Sequence, residues 1–517
     1  MTRFRLAATA AVLAALAGCA TVDPFSLPPM ADHLARADTL GDCARALQDE
    51  QRAVREAGVA DVQDTSVPGF PHLRVDRLGA ASVPAPGDEA GWHAWRDRLA
   101  ALAEQARAFE RRHAGLAGSA DPQGSHCQRL LEAADNAPAG RDALRRAAQV
   151  PDDYSTAARA LGLYPLTRLA FAAGIRGWHA QTRSIFALPL DALPVEGRLQ
   201  RLVPAPDAAA SLAGVAGTPP AHAAADDLPG LRRLLLRHAP VLEVDHTGEH
   251  DRVGPLAWRG EVVAVDTAAA PVAYVRLSHA LLGGAWRRQL VYTFWFPRRP
   301  KAHALDLLGG ELDALVWRVT LDDDGQALVY DSIHACGCYH LFFATERVRP
   351  RAGRPPGQGA LDEGLFMPQP PLPAAGPGAA PETVVLRIQG RTHYLQRVAR
   401  APASLLAGRP ATDRQAEAVA RAPLAYHFVD EDSLRSLARP GAPGQADRHR
   451  SIYDGRGLIP GSERLERFLF WPMGIASAGQ MRQWGRHATA FVGRRHFDDP
   501  GLLDRYFELR GADPAPH

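Results

Sequence analysis

The central stretch of the chain, residues 315–340, reads LVWRVTLDDDGQALVYDSIHACGCYH. Leu315–Leu321 and Ala327–Ser332 are rich in β-branched and aromatic residues, which favour strands. Between them lies Asp322–Gly325, whose composition is typical of a tight turn. The stretch therefore predicts a β-hairpin over Leu315–Ser332, with Gly325 in a left-handed conformation.

Further strand patterns flank this hairpin, and helical patterns scarcely interrupt them. This arrangement predicts a mostly antiparallel β domain over residues 231–400, either a sandwich or a partly open barrel. A segment rich in Pro and Gly, residues 349–382, is expected to be an inserted loop. The predicted flanking strands are Val241–Val244, Glu261–Asp266, Val272–Leu277, Gln289–Phe296 and Val384–Ile388.

The N-terminal third has helical rather than strand periodicity. Apolar residues from Trp92 to Phe109 recur every three or four positions, which predicts a long amphipathic helix. Asp42 is a predicted helix N-cap, and Ser125 with Gln128 forms a capping box that opens another helix. The apolar run Leu163–Phe171 is expected to be a buried helix, with a membrane-facing patch as the alternative.

These patterns divide the chain into successive units and predict an α+β protein. A helical domain spans residues 42–203, and an Ala- and Pro-rich linker at 204–230 precedes the β domain. Residues 401–517 are expected to be a mixed segment of helices and loops that packs on the β domain.

The start of the chain predicts export. Arg3 and Arg5 precede an apolar run from Leu6 to Leu16, which is too short for a permanent membrane-spanning helix. Residues 1–18 are therefore expected to be a signal peptide.

The segment Leu16-Ala17-Gly18-Cys19 resembles the lipobox of bacterial lipoproteins. The resemblance implies cleavage before Cys19 and acylation of that residue, so that residues 19–41 are the lipid anchor and tether. Because Ala20 and not Asp follows Cys19, it implies the outer membrane, with the protein facing the periplasm. The membrane is therefore the expected partner, and protein partners stay unknown.

Four cysteines remain after Cys19, an even number that favours pairing in an oxidising compartment. Cys43 and Cys127 both lie in the first turn of a predicted helix. If the helices near 43, 92 and 127 alternate in direction, the first and third begin at the same end of the bundle. We predict a Cys43–Cys127 disulfide, with two separate buried thiols as the alternative.

The densest group of metal-capable side chains comprises His334, Cys336, Cys338 and His340. In a straight strand these residues would be spread over roughly 20 Å, too far apart to share one ion. A turn at Gly337 would let them converge on Zn or Cu, which thiolate and imidazole ligands suit. His279, His303 and His393 are candidate additional ligands.

Other interpretations of this group stay open. Cys336 and Cys338 could form a strained disulfide, one Cys could be a catalytic nucleophile with His334 or His340 as base, or none of them need have special chemistry. Three functions follow: a transition-metal-binding module, an envelope structural or interaction lipoprotein with disulfide staples, and a periplasmic hydrolase or thiol-dependent enzyme. A formal net charge of +2, from 59 basic and 57 acidic residues, disfavours nucleic-acid binding.

Overall fold

The computed structural model describes residues 23–116, 124–220, 227–373, 382–402, 422–441 and 448–511. The predicted signal peptide and Cys19 lie outside these ranges. The protein is α+β, as predicted: N-terminal helices precede a large, mostly antiparallel sheet that is nearly closed as a barrel.

The N-terminal region contains eight α-helices and a short hairpin in the part of the chain that the structure describes. The hairpin pairs β1 (Thr65–Val67) with β2 (Phe70–Val75). The helices are α1 (Met30–Leu34), α2 (Thr39–Glu56), α3 (Arg77–Ala81), α4 (Glu89–His113), α5 (Gly124–Ala134), α6 (Pro138–Ala147), α7 (Thr156–Leu161) and α8 (Tyr164–Phe186).

The predicted long helix is confirmed as α4, which buries Trp92, Trp95 and Leu99. The predicted N-cap of α2 is wrong: Asp38 caps the helix, four residues before Asp42, by accepting a hydrogen bond from the Gly41 amide. Phe25 and Met30 are buried against α2, so the described part of the predicted anchor and tether, residues 23–41, is folded. A Cys43–Cys127 disulfide joins α2 to α5, which confirms the predicted pairing.

The large sheet has ten strands in the order β11-β10-β9-β8-β7-β15-β3-β4-β13-β14. Three neighbouring pairs are parallel, namely β7–β15, β15–β3 and β4–β13, and the other six are antiparallel. Its strands are β3 (Arg198–Pro204), β4 (Val241–His246), β7 (Val272–Leu282), β8 (Ala285–Arg299), β9 (Gly310–Leu321), β10 (Ala327–His334), β11 (Leu341–Ala344), β13 (Glu382–Ile388), β14 (Leu395–Pro402) and β15 (Leu424–Asp430).

The smaller elements complete the described part of the chain. Two-stranded sheets pair β5 (Leu256–Arg259) with β6 (Val262–Val265), β12 (Val348–Pro350) with β18 (Phe507–Leu509), and β16 (Leu437–Arg439) with β17 (Arg448–Arg450). The remaining α-helices are α9 (Leu228–His238), α10 (Arg467–Phe470) and α11 (Leu502–Tyr506), and 3-10 helices span Glu249–Asp251, Glu431–Ser436 and Trp471–Met473.

The middle of the sheet differs from the predicted domain boundaries. Strand β3 begins in the predicted helical domain and ends at residue 204, and β15 follows residue 401, yet both lie between β7 and β4. The described part of the predicted linker is also packed: Ala208, Ala209 and Leu212 are buried in the same core as the sheet. Because apolar side chains removed from water stabilise the folded state, this segment is part of the β domain rather than a tether.

Two cores lie on opposite faces of the sheet. All ten strands contribute to the first, which we call the inner core, and this is possible only because the sheet curls around it. The second, the outer core, packs β8–β10 against the C-terminal segment, including Met481 and Phe497. The predicted Leu315–Ser332 hairpin is confirmed as β9 and β10, and Gly325 has φ +70° in its turn.

Candidate functional site

The segment that joins β10 to β11 contains the predicted turn. Gly337 has φ +91°, a conformation that glycine adopts without steric cost. A Cβ atom at this position would also lie 2.5 Å from the carbonyl oxygen of Ala488, so the approach of the C-terminal segment requires glycine. The His334 amide donates to the Cys338 carbonyl at 3.0 Å and closes the turn.

The turn does not gather all four predicted ligands, because His334 is the last residue of β10 and the other three follow it. Side chains alternate along a strand, so His334 shares a face with Tyr330, which packs in the inner core. Cys336 and Cys338 both pack in the outer core. The sequence could not show this division, because it depends on where β10 ends.

His334 belongs to a buried chain of imidazoles and carboxylates. Its Nδ1 lies 3.1 Å from Asp313, and the other oxygen of Asp313 lies 2.9 Å from Nδ1 of His393. Nε2 of His393 is 3.3 Å from Asp251. Burial alone would lower the pKa of His393, but the two carboxylates outweigh it and raise the pKa. This chain connects β9, β10 and the β13–β14 loop inside the protein.

His340 pairs with a different carboxylate on the outer face. Its Nε2 lies 2.9 Å from Asp331, which also receives two hydrogen bonds from Arg318 at 2.9 and 2.6 Å. Burial lowers the pKa of His340 to about 3, so the imidazole is neutral at physiological pH. Its Nδ1 is buried and has no hydrogen-bond partner.

Cys336 and Cys338 are free thiols that lie side by side and are both buried. A side-chain hydrogen bond to Cys336, together with burial, raises the pKa of Cys338 well above that of an ordinary thiol. Arg482 fixes this turn from the C-terminal segment, because its Nε donates to the Cys336 carbonyl at 3.1 Å. The Cys338 thiol is therefore protonated, and a base or an oxidant would be needed to activate it.

Within the described ranges, no group of three or more His, Cys, Asp or Glu side chains is arranged to hold a metal ion. Of the candidate additional ligands, His393 bonds to Asp313, His279 is buried on β7, and His303 is exposed in a loop. The pair of thiols offers two soft ligands side by side. Zn or Cu binding by His334, Cys336, Cys338 and His340 stays a prediction.

The thiols form part of the wall of a cavity of about 470 Å³, a volume in the range of roughly 300–1,000 Å³ typical of small-molecule sites. The cavity lies between the inward side of α8, the turn at Gly337 and the C-terminal segment. Most of its wall is apolar and aromatic, from Phe171, Ile175, Trp178, Phe366, Phe470 and Phe491. The sequence did not reveal the cavity, because these residues come from three distant parts of the chain.

Two carboxyl groups also line the cavity. Burial raises the pKa of Glu466 to about 7, so its protonated and ionised forms are both populated near neutral pH. A Cβ atom at Gly479, which has φ +82°, would lie 1.9 Å from Oε1 of Glu466, so glycine leaves room for this carboxyl group. Glu363 instead accepts hydrogen bonds from the backbone amides of Phe491 and Val492.

Helix α8 covers the cavity but is itself largely uncovered. Only Ala172 and Phe186 are buried along its 23 residues. Leu163, Leu166 and Leu169 are 61%, 65% and 51% exposed, so the expectation of a buried helix over Leu163–Phe171 is wrong. No helix in the described ranges meets the length and hydropathy of a membrane span.

The arrangement suits the binding of an apolar molecule better than hydrolysis. The apolar wall favours a hydrophobic ligand, and the few polar groups could orient one end of it. The thiols and Glu466 border the same space, which keeps open a thiol-dependent reaction on a bound ligand. No family model, curated protein or solved structure matched this chain when it was compared with them.

Proposed function

We propose that this protein is a lipid-anchored periplasmic lipoprotein of the outer membrane that binds an apolar ligand, of the class of a lipid acyl chain, in the cavity beneath α8. The observation that carries the proposal is the cavity wall, in which aromatic and aliphatic side chains from α8 and the C-terminal segment surround about 470 Å³. Removing apolar surface of the ligand from water would supply the binding free energy.

The polar groups of the wall support one orientation of the ligand. The neutral form of Glu466 can donate a hydrogen bond to a carbonyl or carboxyl oxygen, and the raised pKa keeps that form populated near pH 7. The tail of the ligand would then pack against residues such as Phe171 and Phe491. Metal binding at the cysteine pair and a structural role of the protein stay alternatives that the cavity does not require.

Two glycines of α8 give a matched test. Gly174 lines the cavity, whereas Gly177 does not, and a Cβ atom at either position meets no other atom within 4 Å. Replacement by Phe changes helix propensity equally at both sites. Gly174→Phe should place its ring in the cavity and weaken binding of the fluorescent fatty acid cis-parinaric acid about tenfold or more, which is a loss of about 1.4 kcal/mol.

Gly177→Phe should bind the probe like the wild-type protein. Fluorescence titration of the full-length proteins measures both affinities, and a thermal melt of each variant reports on folding. Wild-type protein that binds no fatty acid, or equal affinities for the two variants, would refute the proposal. Metal analysis of the same wild-type sample tests the Zn or Cu alternative.

A further inference from the structure

An exposed apolar patch lies beside the cavity. It consists of Leu161, Leu163, Leu166 and Leu169 on and beside α7 and α8, and of Phe468, Leu469 and Trp471 at α10. All seven side chains are between 43% and 78% exposed. A contiguous apolar surface that is exposed to solvent marks an interaction site.

Contacts within the fold bring the two parts of the patch together. A Cβ atom at Gly162, between Leu161 and Leu163, would lie 2.5 Å from the Cβ of Pro472. Nε of Arg159 on α7 donates to the carbonyl of Met473 at 2.8 Å. The rings of Phe171 and Phe470 meet edge to face with centroids 5.1 Å apart. The patch is therefore one surface built from two segments some 300 residues apart.

The patch is continuous with the mouth of the cavity. Leu469 is half exposed in the patch and also lines the cavity, as do the exposed residues Ala170 and Gly174. The patch therefore offers an apolar molecule a route into the cavity.

The charged residues on α8 and α10 are all basic. Helix α8 carries Arg168, Arg176 and Arg183 and no acidic residue, and α10 begins with Arg467. Anionic lipid headgroups would complement these guanidinium groups. A second copy of the same surface would instead bring like charges together, which disfavours a symmetric dimer through this patch.

We infer that the patch formed by α7, α8 and α10 docks on an anionic membrane surface, with its leucines and Trp471 in the interface between headgroups and acyl chains. Trp is favoured at this depth because its ring is apolar and its N–H remains hydrated. The docked helix lies along the membrane and does not span it. The inference makes the membrane the source of the apolar ligand, and in that respect it rests on the proposed function. The docking itself depends on the exposed side chains of the patch.

Quenching of tryptophan fluorescence by brominated lipids tests the docking locally, whether or not Cys19 is acylated. The full-length protein is mixed with vesicles of phosphatidylcholine and phosphatidylglycerol whose acyl chains are brominated. Quenching should fall in Trp471→Phe and stay unchanged in Trp258→Phe, since Trp258 lies half-buried beside β6. Vesicles of phosphatidylcholine alone should quench less, and added salt should weaken the effect.

A second set of variants tests whether the docking requires the apolar side chains of the patch in particular or any exposed apolar side chain. Leu163→Glu with Leu166→Glu should abolish the quenching that depends on Trp471, whereas Val262→Glu, at an exposed position of β6, should retain it. Exposed substitutions of this kind leave folding nearly unchanged. Equal quenching in wild-type protein and Trp471→Phe overturns the inference. The inference is also overturned if the wild-type protein self-associates without vesicles and Leu166→Glu abolishes that association. In that case a second copy of the chain covers the patch.

The two proposals fail separately. If lipid does not quench Trp471 in the wild-type protein but cis-parinaric acid still binds, only the docking is refuted. If lipid quenches Trp471 but no fatty acid binds, only the ligand-binding function is refuted.

Discussion

At the scale of single residues, the central stretch shows that neighbours in sequence can have unrelated surroundings. His334 bonds to Asp313 on the inner face of the sheet, and His340 bonds to Asp331 on the outer face. The two thiols between them turn toward the cavity because Gly337 bends the chain. Proximity in sequence was therefore a good guide to the turn but not to the partners of the side chains.

Glu466 gives a pH-dependent prediction. Its folded-state pKa of about 7 exceeds the ordinary value of 4.5, so the folded state holds the proton more tightly than the unfolded state. Its stabilising contribution is complete below about pH 4.5 and is lost as the pH rises through about 7. Glu466→Gln should therefore have a higher free energy of unfolding than the wild-type protein at about pH 8, by up to about 3 kcal/mol.

Denaturant unfolding of both proteins at about pH 4 and pH 8 measures this difference. The two proteins should converge at the lower pH, where the carboxyl group is protonated in both states. If the two proteins differ in free energy of unfolding by the same amount at both pH values, burial does not raise the pKa of Glu466.

At the scale of elements, the N-terminal helices owe their arrangement partly to a covalent link. The disulfide joins Cys43, in the second turn of α2, to Cys127, in the first turn of α5, and the two residues are 84 positions apart in sequence. Helix α4 lies between them in sequence and buries its tryptophans against β2. The amphipathic pattern predicted α4 well because its apolar stripe is continuous. The prediction that the start of α8 is buried was wrong because its apolar residues face solvent and the cavity instead of a core.

Removing the disulfide should destabilise this region. Cys43→Ser with Cys127→Ser should lower the free energy of unfolding by about 3–5 kcal/mol, because the unfolded chain regains the conformational entropy of a long loop. Denaturant unfolding checks the value. Intact mass under non-reducing conditions should show two protons fewer than after reduction, and equal stability of the two proteins would contradict a structural role.

At the scale of the whole molecule, the sheet unites segments that the sequence pattern separates. β15 pairs in parallel with both β7 and β3, so a strand from the C-terminal third joins two halves of the sheet. Strand β3 comes from the region predicted to be helical. The inner core closes only when all of these segments are present.

A fragment of residues 231–400, the predicted β domain, should therefore not fold by itself. It lacks β3 and β15, so β7 and β4 would each expose an unpaired edge in the middle of the sheet. Circular dichroism should show a cooperative thermal transition for the full-length protein and none for the fragment. A cooperative transition in the fragment would mean that β3 and β15 are dispensable.

The sequence by itself determined the local elements: the amphipathic helix α4, the hairpin of β9 and β10, the bend at Gly337 and the disulfide partners. Each depends on the periodicity or conformational preference of a few consecutive residues, or on two helix starts that share one end of a bundle. Only the tertiary structure decided the order of the strands, the separation of His334 from the two thiols, and the cavity beneath α8. These features depend on which distant segments meet, and that choice is made by the shared burial of apolar surface, which no local pattern records.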